Sequence, residues 1–167
     1  MKKTLLILAA LMFSLSASGA GTWVQTPYKP AKVVFDFYLD DPAKMGSALF
    51  WLRSLMNPLM ESPYNYSPEE LSIKVVIHGT EIVTVAKKNE EKYQEVVDRM
   101  RYYASLGVEF KVCGLAAEDF GYSVKDFQDF IQVVPSAFAE LAHWQQEGYA
   151  LITPRVYEKR FPIEDIR

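Results

Sequence analysis

The chain contains a single cysteine, Cys113, which follows the apolar stretch of residues 108–112. A thiolate attacks sulfur and carbon electrophiles, so one cysteine at a strand end can carry nucleophilic or sulfur-transfer chemistry. Without a second cysteine there is no internal disulfide. Cys113 is therefore a buried apolar residue, an intermolecular disulfide partner or a reactive sulfur. Because cysteine is among the most buried residue types, the pattern alone favours packing.

Three polar residues after other apolar stretches are candidates to support such a thiol. His78 follows residues 71–77 and can donate a proton or orient the site, although a histidine here is more often a hydrogen-bonded strand-end residue. Glu81 can act as a base towards the thiol or cap the next segment. Ser136 stands at a predicted helix start, which suits a helix cap or a donor to an anion. No Gly-x-Ser-x-Gly motif marks it as a nucleophile.

Other kinds of site have little support in the sequence. His78, Cys113 and His143 are too widely spaced to match a zinc-binding pattern, so we expect no metal. No Gly-rich phosphate-binding loop occurs, so we expect no nucleotide or flavin cofactor. The absence of a C-x-x-C motif disfavours a thiol–disulfide oxidoreductase. The formal net charge of −3, without a dense Lys/Arg cluster, argues against nucleic-acid binding.

The elements that position these residues are predicted from hydrophobic patterning. Apolar stretches predict five strands, at residues 32–39, 71–77, 108–113, 130–134 and 149–153. Capping residues and helix-type spacing predict the helices between them. The first begins at Pro42 and ends at Asn57-Pro58, and the second runs from an Asn89 cap to Gly107. A short third helix starts at Ser123, with Asp126 in a capping box, and the fourth runs from Ser136 to Gly148.

This alternation predicts an α/β fold with a five-stranded parallel sheet. Right-handed crossovers between parallel strands place helices on both faces of the sheet. The carboxyl ends of parallel strands meet at one edge, where we expect Asp40, His78, Cys113 and Ser136. Which of these residues are neighbours depends on the strand order, which periodicity does not give.

The first twenty residues are typical of a secretory signal peptide. Lys2 and Lys3 precede an apolar run at residues 5–15, and small residues lead to Ala20. We expect cleavage after Ala20, export to the periplasm and no membrane span in the mature form. The expected divisions of the chain are a signal peptide at 1–20, an extended lead-in at 21–31, one α/β domain at 32–154 and a C-terminal tail at 155–167.

Three parts of the chain resemble the DsrE/DsrF-like sulfur-relay family. They are KVVIHGTEI at residues 74–82, GVEFKVC at 107–113, and the segment from Val133 to Ala150 with VVPS, AEL and QEGYA. The resemblance covers roughly residues 32–154. It implies a three-layer α/β/α sandwich around a five-stranded parallel sheet, assembled as a trimer or hexamer. In some members a cysteine after the third strand carries a persulfide, which matches Cys113, although Gly114-Leu115-Ala116 follow here where the family is often polar.

We therefore expect an exported sulfur-handling protein in which Cys113 accepts a sulfane sulfur and passes it on. It is expected to be a carrier or sulfurtransferase-like accessory that needs no cofactor, and the sequence does not identify its sulfur donor or acceptor. The alternative is a non-catalytic oligomeric module that binds a small ligand and keeps Cys113 as packing. Loop aromatics are expected at subunit contacts or over the core; they are Tyr64, Tyr66, Phe120 and Tyr122.

Overall fold

The computed structural model describes residues 21–167, so the predicted signal peptide and its cleavage after Ala20 lie outside the described residues. The strands are β1 (Lys32–Phe37), β2 (Ser72–Ile77), β3 (Glu109–Cys113), β4 (Ile131–Val134) and β5 (Ala150–Ile152). The α-helices are α1 (Met45–Met60), α2 (Glu90–Ser105), α3 (Gly114–Asp119) and α4 (Ala137–Gln146). Short 3-10 helices add Pro42–Lys44, Pro68–Glu70, Thr80–Val85, Lys87–Asn89, Val124–Asp126 and Ile163–Asp165. Within 21–167, no helix combines the length and apolarity that a membrane crossing requires.

All strand pairs are parallel and the five strands form one sheet in the order β4-β3-β2-β1-β5, which confirms the predicted architecture. The register aligns Phe37 with Ile77, Ile77 with Val112, and Cys113 with Val134. The carboxyl ends of β1 to β4 therefore meet at one edge. Three crossovers step from β1 through β2 and β3 to β4, and the last returns across the sheet to place β5 beside β1.

Helices cover both faces of the sheet, as the predicted three-layer sandwich requires. One face packs against α1 and α2 in the larger core, where Phe35, Ile77 and Phe110 are fully buried. The other face packs against α4 through a smaller cluster of buried side chains. These are Val34, Val76, Cys113, Ala137 and Leu141.

The connections after β3 and β4 leave the sheet towards opposite faces. Ala117 of α3 and Phe127 beyond it belong to the larger core, on the α1–α2 face. The connection after β4 leads instead to α4, which contacts β1, β2 and β5 from the other face. In α/β sheets, a crevice opens where neighbouring connections diverge in this way, and it is the usual place for a ligand. Here the connections diverge between the ends of β3 and β4, beside Cys113.

A network of charged side chains, in which Lys74 and Lys111 are buried, ties α4 to its face of the sheet. Lys74 pairs with Glu109, and Lys111 Nζ lies 3.2 Å from Glu109 Oε2 and 3.4 Å from Glu140 Oε1. Trp144 of α4 donates from Nε1 to Glu140 at 2.7 Å, and its ring lies 4.7 Å below Lys74 Nζ. Burial raises the pKa of Glu109, but the hydrogen bonds from Lys74 and Lys111 outweigh it, so the net shift of the pKa is downward.

One predicted helix boundary was wrong, and one predicted helix cap lacks its hydrogen bond. Helix α1 continues through Pro58 to Met60, because Leu59 extends the buried face of the helix for another turn. Asn89 occupies the N-cap position of α2, as predicted, but its side chain makes no capping hydrogen bond. The Asn89 amide instead donates to the Val83 carbonyl at 2.8 Å, which ties the helix to the preceding turn.

The other predicted turn signals are confirmed. Gly107 and Gly148 follow α2 and α4 with φ of +88° and +82°, a left-handed conformation that glycine adopts without strain. Ser123 and Asp126 form the predicted capping box, although the helix it starts is a single 3-10 turn.

The four loop aromatics have different environments. Tyr122 is buried and packs against Phe127, so it lies over the core. Tyr64 and Tyr66 hold the lead-in segment: Tyr64 donates to the Thr26 carbonyl, and Tyr66 Oη donates to the Tyr28 carbonyl at 2.8 Å. Phe120 is partly exposed.

Candidate functional site

A cavity of about 540 Å³ opens at the carboxyl ends of the strands. Its walls come from β1, the residues that follow β1 and β2, the end of β3, α3 and the start of α4. The lining residues are Asp36, Tyr38, His78, Cys113, Leu115, Ala116, Asp119, Ser136 and Phe138. Three of the four candidate residues, Cys113, His78 and Ser136, are thus brought together, whereas Glu81 is not part of the wall.

Cys113 is the last residue of β3, and its sulfur is held at the beginning of α4. Its Sγ accepts a hydrogen bond from the backbone N–H of Ala137, the first residue of α4, at 3.2 Å. The positive end of the helix dipole stabilises negative charge at such a position. Cys113 lines the cavity, but the residue is only 6% exposed.

Helix α3 begins at the residue after Cys113, whereas the sequence predicted the next helix only at Ser123. A Cβ atom on Gly114 would lie 3.0 Å from the Val134 carbonyl oxygen, so the glycine lets β3 turn into a helix directly against the end of β4. The helix-forming composition of residues 114–119, rich in Leu, Ala and Glu, was the signal that could have revealed this helix.

His78 is oriented by a carboxylate that the sequence analysis did not single out. Its Nε2 lies 2.7 Å from Oδ1 of Asp36, and Thr153 donates to Oδ2 of the same carboxylate at 3.3 Å. Since a carboxylate accepts hydrogen bonds, this contact places the imidazole proton on Nε2 and leaves Nδ1 as the acceptor of the neutral ring. Asp36 was detectable as the one acidic residue inside the apolar run of residues 33–39.

Aromatic rings hold the imidazole on two further sides. Tyr38 stacks on it with ring centroids 5.0 Å apart, and Phe138 of α4 meets it edge-on at 5.5 Å. Both rings extend to the surface, where Tyr38, Leu115 and Phe138 are each more than half exposed. The polar centre of the cavity is therefore surrounded by an exposed apolar rim, which we define as these three residues.

Glu81 links the ends of β1 and β2 from within the protein. Its fully buried carboxylate accepts backbone N–H groups of Leu39 at 2.9 Å, Gly79 at 2.9 Å and His78 at 3.2 Å. Burial raises the pKa of the Glu81 carboxyl, and the three donors act against that shift. These contacts support the capping interpretation of Glu81 and place its carboxylate behind His78, where it fixes the loop that carries the imidazole.

The remaining predicted residues take different positions. Ser136 occupies the N-cap position of α4 and lines the cavity, but its side chain makes no capping hydrogen bond. Asp40 lies outside the cavity and is paired with Lys44 at 2.8 Å, a hydrogen bond that lowers the pKa of Asp40. Across residues 21–167, no group of three or more His, Cys, Asp or Glu side chains is arranged to hold a metal ion.

The chain matches a family model and several solved structures. A family model described as the DsrE/DsrF-like family matches residues 32–154. Among solved structures, the protein of unknown function MTH1491 from Methanobacterium thermoautotrophicum superposes with a TM-score of 0.59 at 24% identity, over 74% of this chain and 99% of that one. At this identity the likeness concerns the fold. No curated protein matches the chain.

Proposed function

Because the chain belongs to the DsrE/DsrF-like family, we propose that it is a sulfur-handling protein that carries a sulfane sulfur as a persulfide on Cys113. Family membership supports a sulfur-relay type of role. The observation that carries the finer proposal is the hydrogen bond from the Ala137 N–H to Cys113 Sγ at the wall of the cavity. A backbone donor at a helix start stabilises a thiolate or a persulfide anion in the same way.

The proposed reaction transfers one sulfur atom between two thiols. The Cys113 thiolate attacks the terminal sulfur of an organic persulfide, and a new S–S bond forms as the donor S–S bond breaks. The electron pair of the broken bond leaves with the donor thiolate, which takes up a proton. Passing the sulfur to an acceptor thiolate is the same exchange in reverse, so no external oxidant or reductant is needed.

His78 and Asp36 supply the proton-handling part of this proposal. The Asp36 carboxylate fixes the imidazole, whose Nδ1 can take the thiol proton or hold it for the leaving thiolate. The apolar rim of Tyr38, Leu115 and Phe138 limits water around the sulfur.

Intact mass spectrometry of the purified protein tests this function. After incubation with an organic persulfide, the protein should gain the mass of one sulfur atom, and a reductant should remove it. Cys113→Ser should abolish the gain, and His78→Gln, which keeps the cysteine, should slow it. A wild-type protein whose mass does not change under these conditions would contradict the proposal.

The low exposure of Cys113 favours a second function, the binding module with a structural cysteine. The two functions differ in the rate at which the native thiol is alkylated. A carrier thiol should react rapidly in the native state, whereas a packing thiol should react only as fast as the protein opens. Slow alkylation together with an unchanged mass would favour the binding module.

Export to the periplasm and assembly into a homo-oligomer are further parts of the proposal. The apolar rim supports assembly, since exposed apolar side chains that cluster around a site often mark contacts with another protein. N-terminal sequencing should give Gly21 as the first residue in the periplasmic fraction. Light scattering should give a trimer or hexamer, and a monomer at micromolar concentration would refute the assembly.

A further inference from the structure

We propose that a second cavity, away from Cys113, binds a small organic oxyanion that carries a planar apolar group. This cleft of about 670 Å³ lies between α1, α2 and the start of the C-terminal tail, within the size range of small-molecule sites. It shares no lining residue with the cysteine cavity. The proposal is therefore independent of the sulfur chemistry.

Three arginines from three different segments converge on this cleft. Arg53 comes from α1, Arg99 from α2 and Arg155 from the tail. Within residues 21–167, none of the three forms an ion pair with a carboxylate. Glu95 is the single acidic residue of the wall, so the lining carries a positive excess in a chain whose formal net charge is −3.

This arrangement is suited to an oxyanion. Like charges that face one cleft repel each other, and a bound anion removes that repulsion. Guanidinium groups bind phosphate and carboxylate oxygens through paired N–H donors. Arg99 is already oriented, because its Nη1 donates to the Gly46 carbonyl at 3.1 Å while its other donors remain able to contact a ligand.

The rest of the wall is aromatic, which determines the second half of the ligand. Phe50, Trp51 and Tyr157 line the cleft and are each at least 40% exposed, and Tyr103 forms part of the same wall. Exposed rings that gather in one cleft often mark a binding site, and they provide faces on which a planar group can stack. An anionic group among the arginines and a ring against the aromatic wall use both features of the cleft.

Calorimetric titration with three probes tests both halves of the proposal. Phenyl phosphate combines the anion and the ring, inorganic phosphate provides the anion alone, and phenol provides the ring alone. We expect one molecule of phenyl phosphate per chain, bound at least about tenfold more tightly than either of the other probes. Added salt should weaken the binding.

Variants locate the binding and provide the control. Arg53→Gln and Arg155→Gln, both at exposed positions, should each weaken phenyl phosphate binding by about tenfold or more. Arg101→Gln should leave it unchanged, because Arg101 pairs with Glu90 and Asp98 outside the cleft. Cys113→Ser should also leave it unchanged.

Several results would overturn the proposal. If phenyl phosphate did not bind at millimolar concentration, the proposed oxyanion site would be refuted. Equal binding by wild type and both exposed arginine variants would place the ligand elsewhere. Equal affinity for phenyl phosphate and inorganic phosphate would refute the role of the aromatic wall. An Arg53-dependent self-association without anion binding would show instead that the cleft is a contact between copies.

Discussion

Replacing Glu81 by alanine should strongly destabilise the fold. The change removes the acceptor of two buried N–H groups, on Leu39 and Gly79, and of a third, longer bond from His78. Each buried donor left without a partner costs about 1–3 kcal/mol. Burying the carboxylate is itself unfavourable, which offsets part of that loss. We therefore expect the free energy of unfolding to fall by about 3 kcal/mol, a large part of the ~5–15 kcal/mol of a typical domain.

Urea unfolding followed by circular dichroism measures this change, with Glu118→Ala as the control. Glu118 is exposed, and no side-chain hydrogen bond ties it to another residue in the described part of the chain, so its replacement should alter the free energy of unfolding by less than about 0.5 kcal/mol. If Glu81→Ala cost no more than the control, the three N–H contacts would not support the strand ends as we infer.

The pH dependence provides a second test of Glu81. Because the folded state raises the pKa of this carboxyl, its contribution to stability is full below the ordinary glutamate pKa and is lost as the pH rises through the raised folded value. The stability of the wild type relative to Glu81→Gln should therefore decline from acid towards neutral pH. A relative stability that rises over this range would contradict the burial effect.

Four further substitutions test other contacts. Gly79→Ala should lower the free energy of unfolding in urea by more than about 2 kcal/mol, because the new Cβ would lie 2.5 Å from Glu81 Oε2 and 2.6 Å from the Leu39 backbone. Gly46→Ala in helix α1 should instead raise it by about 0.5–1 kcal/mol, because the new Cβ meets only Arg99, at 3.5 Å. Asp36→Asn should slow persulfide transfer to Cys113 by about tenfold or more without loss of fold, because the His78 imidazole loses the charge that orients it. Mass spectrometry measures the rate, and an unchanged rate would show that the Asp36–His78 pair takes no part in the transfer. Lys74 and Lys111 lower the pKa of Glu109 in the folded state. The difference in free energy of unfolding between wild type and Glu109→Gln should therefore be greatest near neutral pH and shrink below the ordinary glutamate pKa. A difference independent of pH would contradict this.

Much of the fold could be predicted because its signals are local. Apolar runs fixed the five strands, and Gly107 and Gly148 correctly marked the ends of two helices. The predictions failed where a distant contact outweighs a local signal. A proline usually ends a helix, yet α1 continues past Pro58 because Leu59 is buried in the core. Asn89 was predicted to cap α2 with its side chain, but the side-chain amide donates a hydrogen bond to the Val83 carbonyl instead.

The site was predicted less completely, because its geometry depends on strand order. Cys113, His78 and Ser136 share the cavity as members of one sheet edge, which parallel strands require. The pairing of His78 with Asp36 depends on β1 lying beside β2, and it joins residues that periodicity cannot relate. The arginine cleft was likewise hidden, since Arg53, Arg99 and Arg155 are separated in sequence and meet only through packing.

The order of the strands also determines when the cysteine site can form during folding. Strands β1 to β4 pair in steps, each with its neighbour in sequence, but β5 must reach β1 across the whole intervening chain. Such distant pairings are slow to form, because a long loop must close before any contact compensates for its entropy. The Ala137 N–H opens that last crossover and contacts the sulfur of Cys113 once β4 has paired with β3 and α4 has begun. A growing or partly folded chain that has not reached this stage holds its cysteine without the backbone donor of the finished protein, so the reactivity of the thiol reports whether the start of α4 is in place.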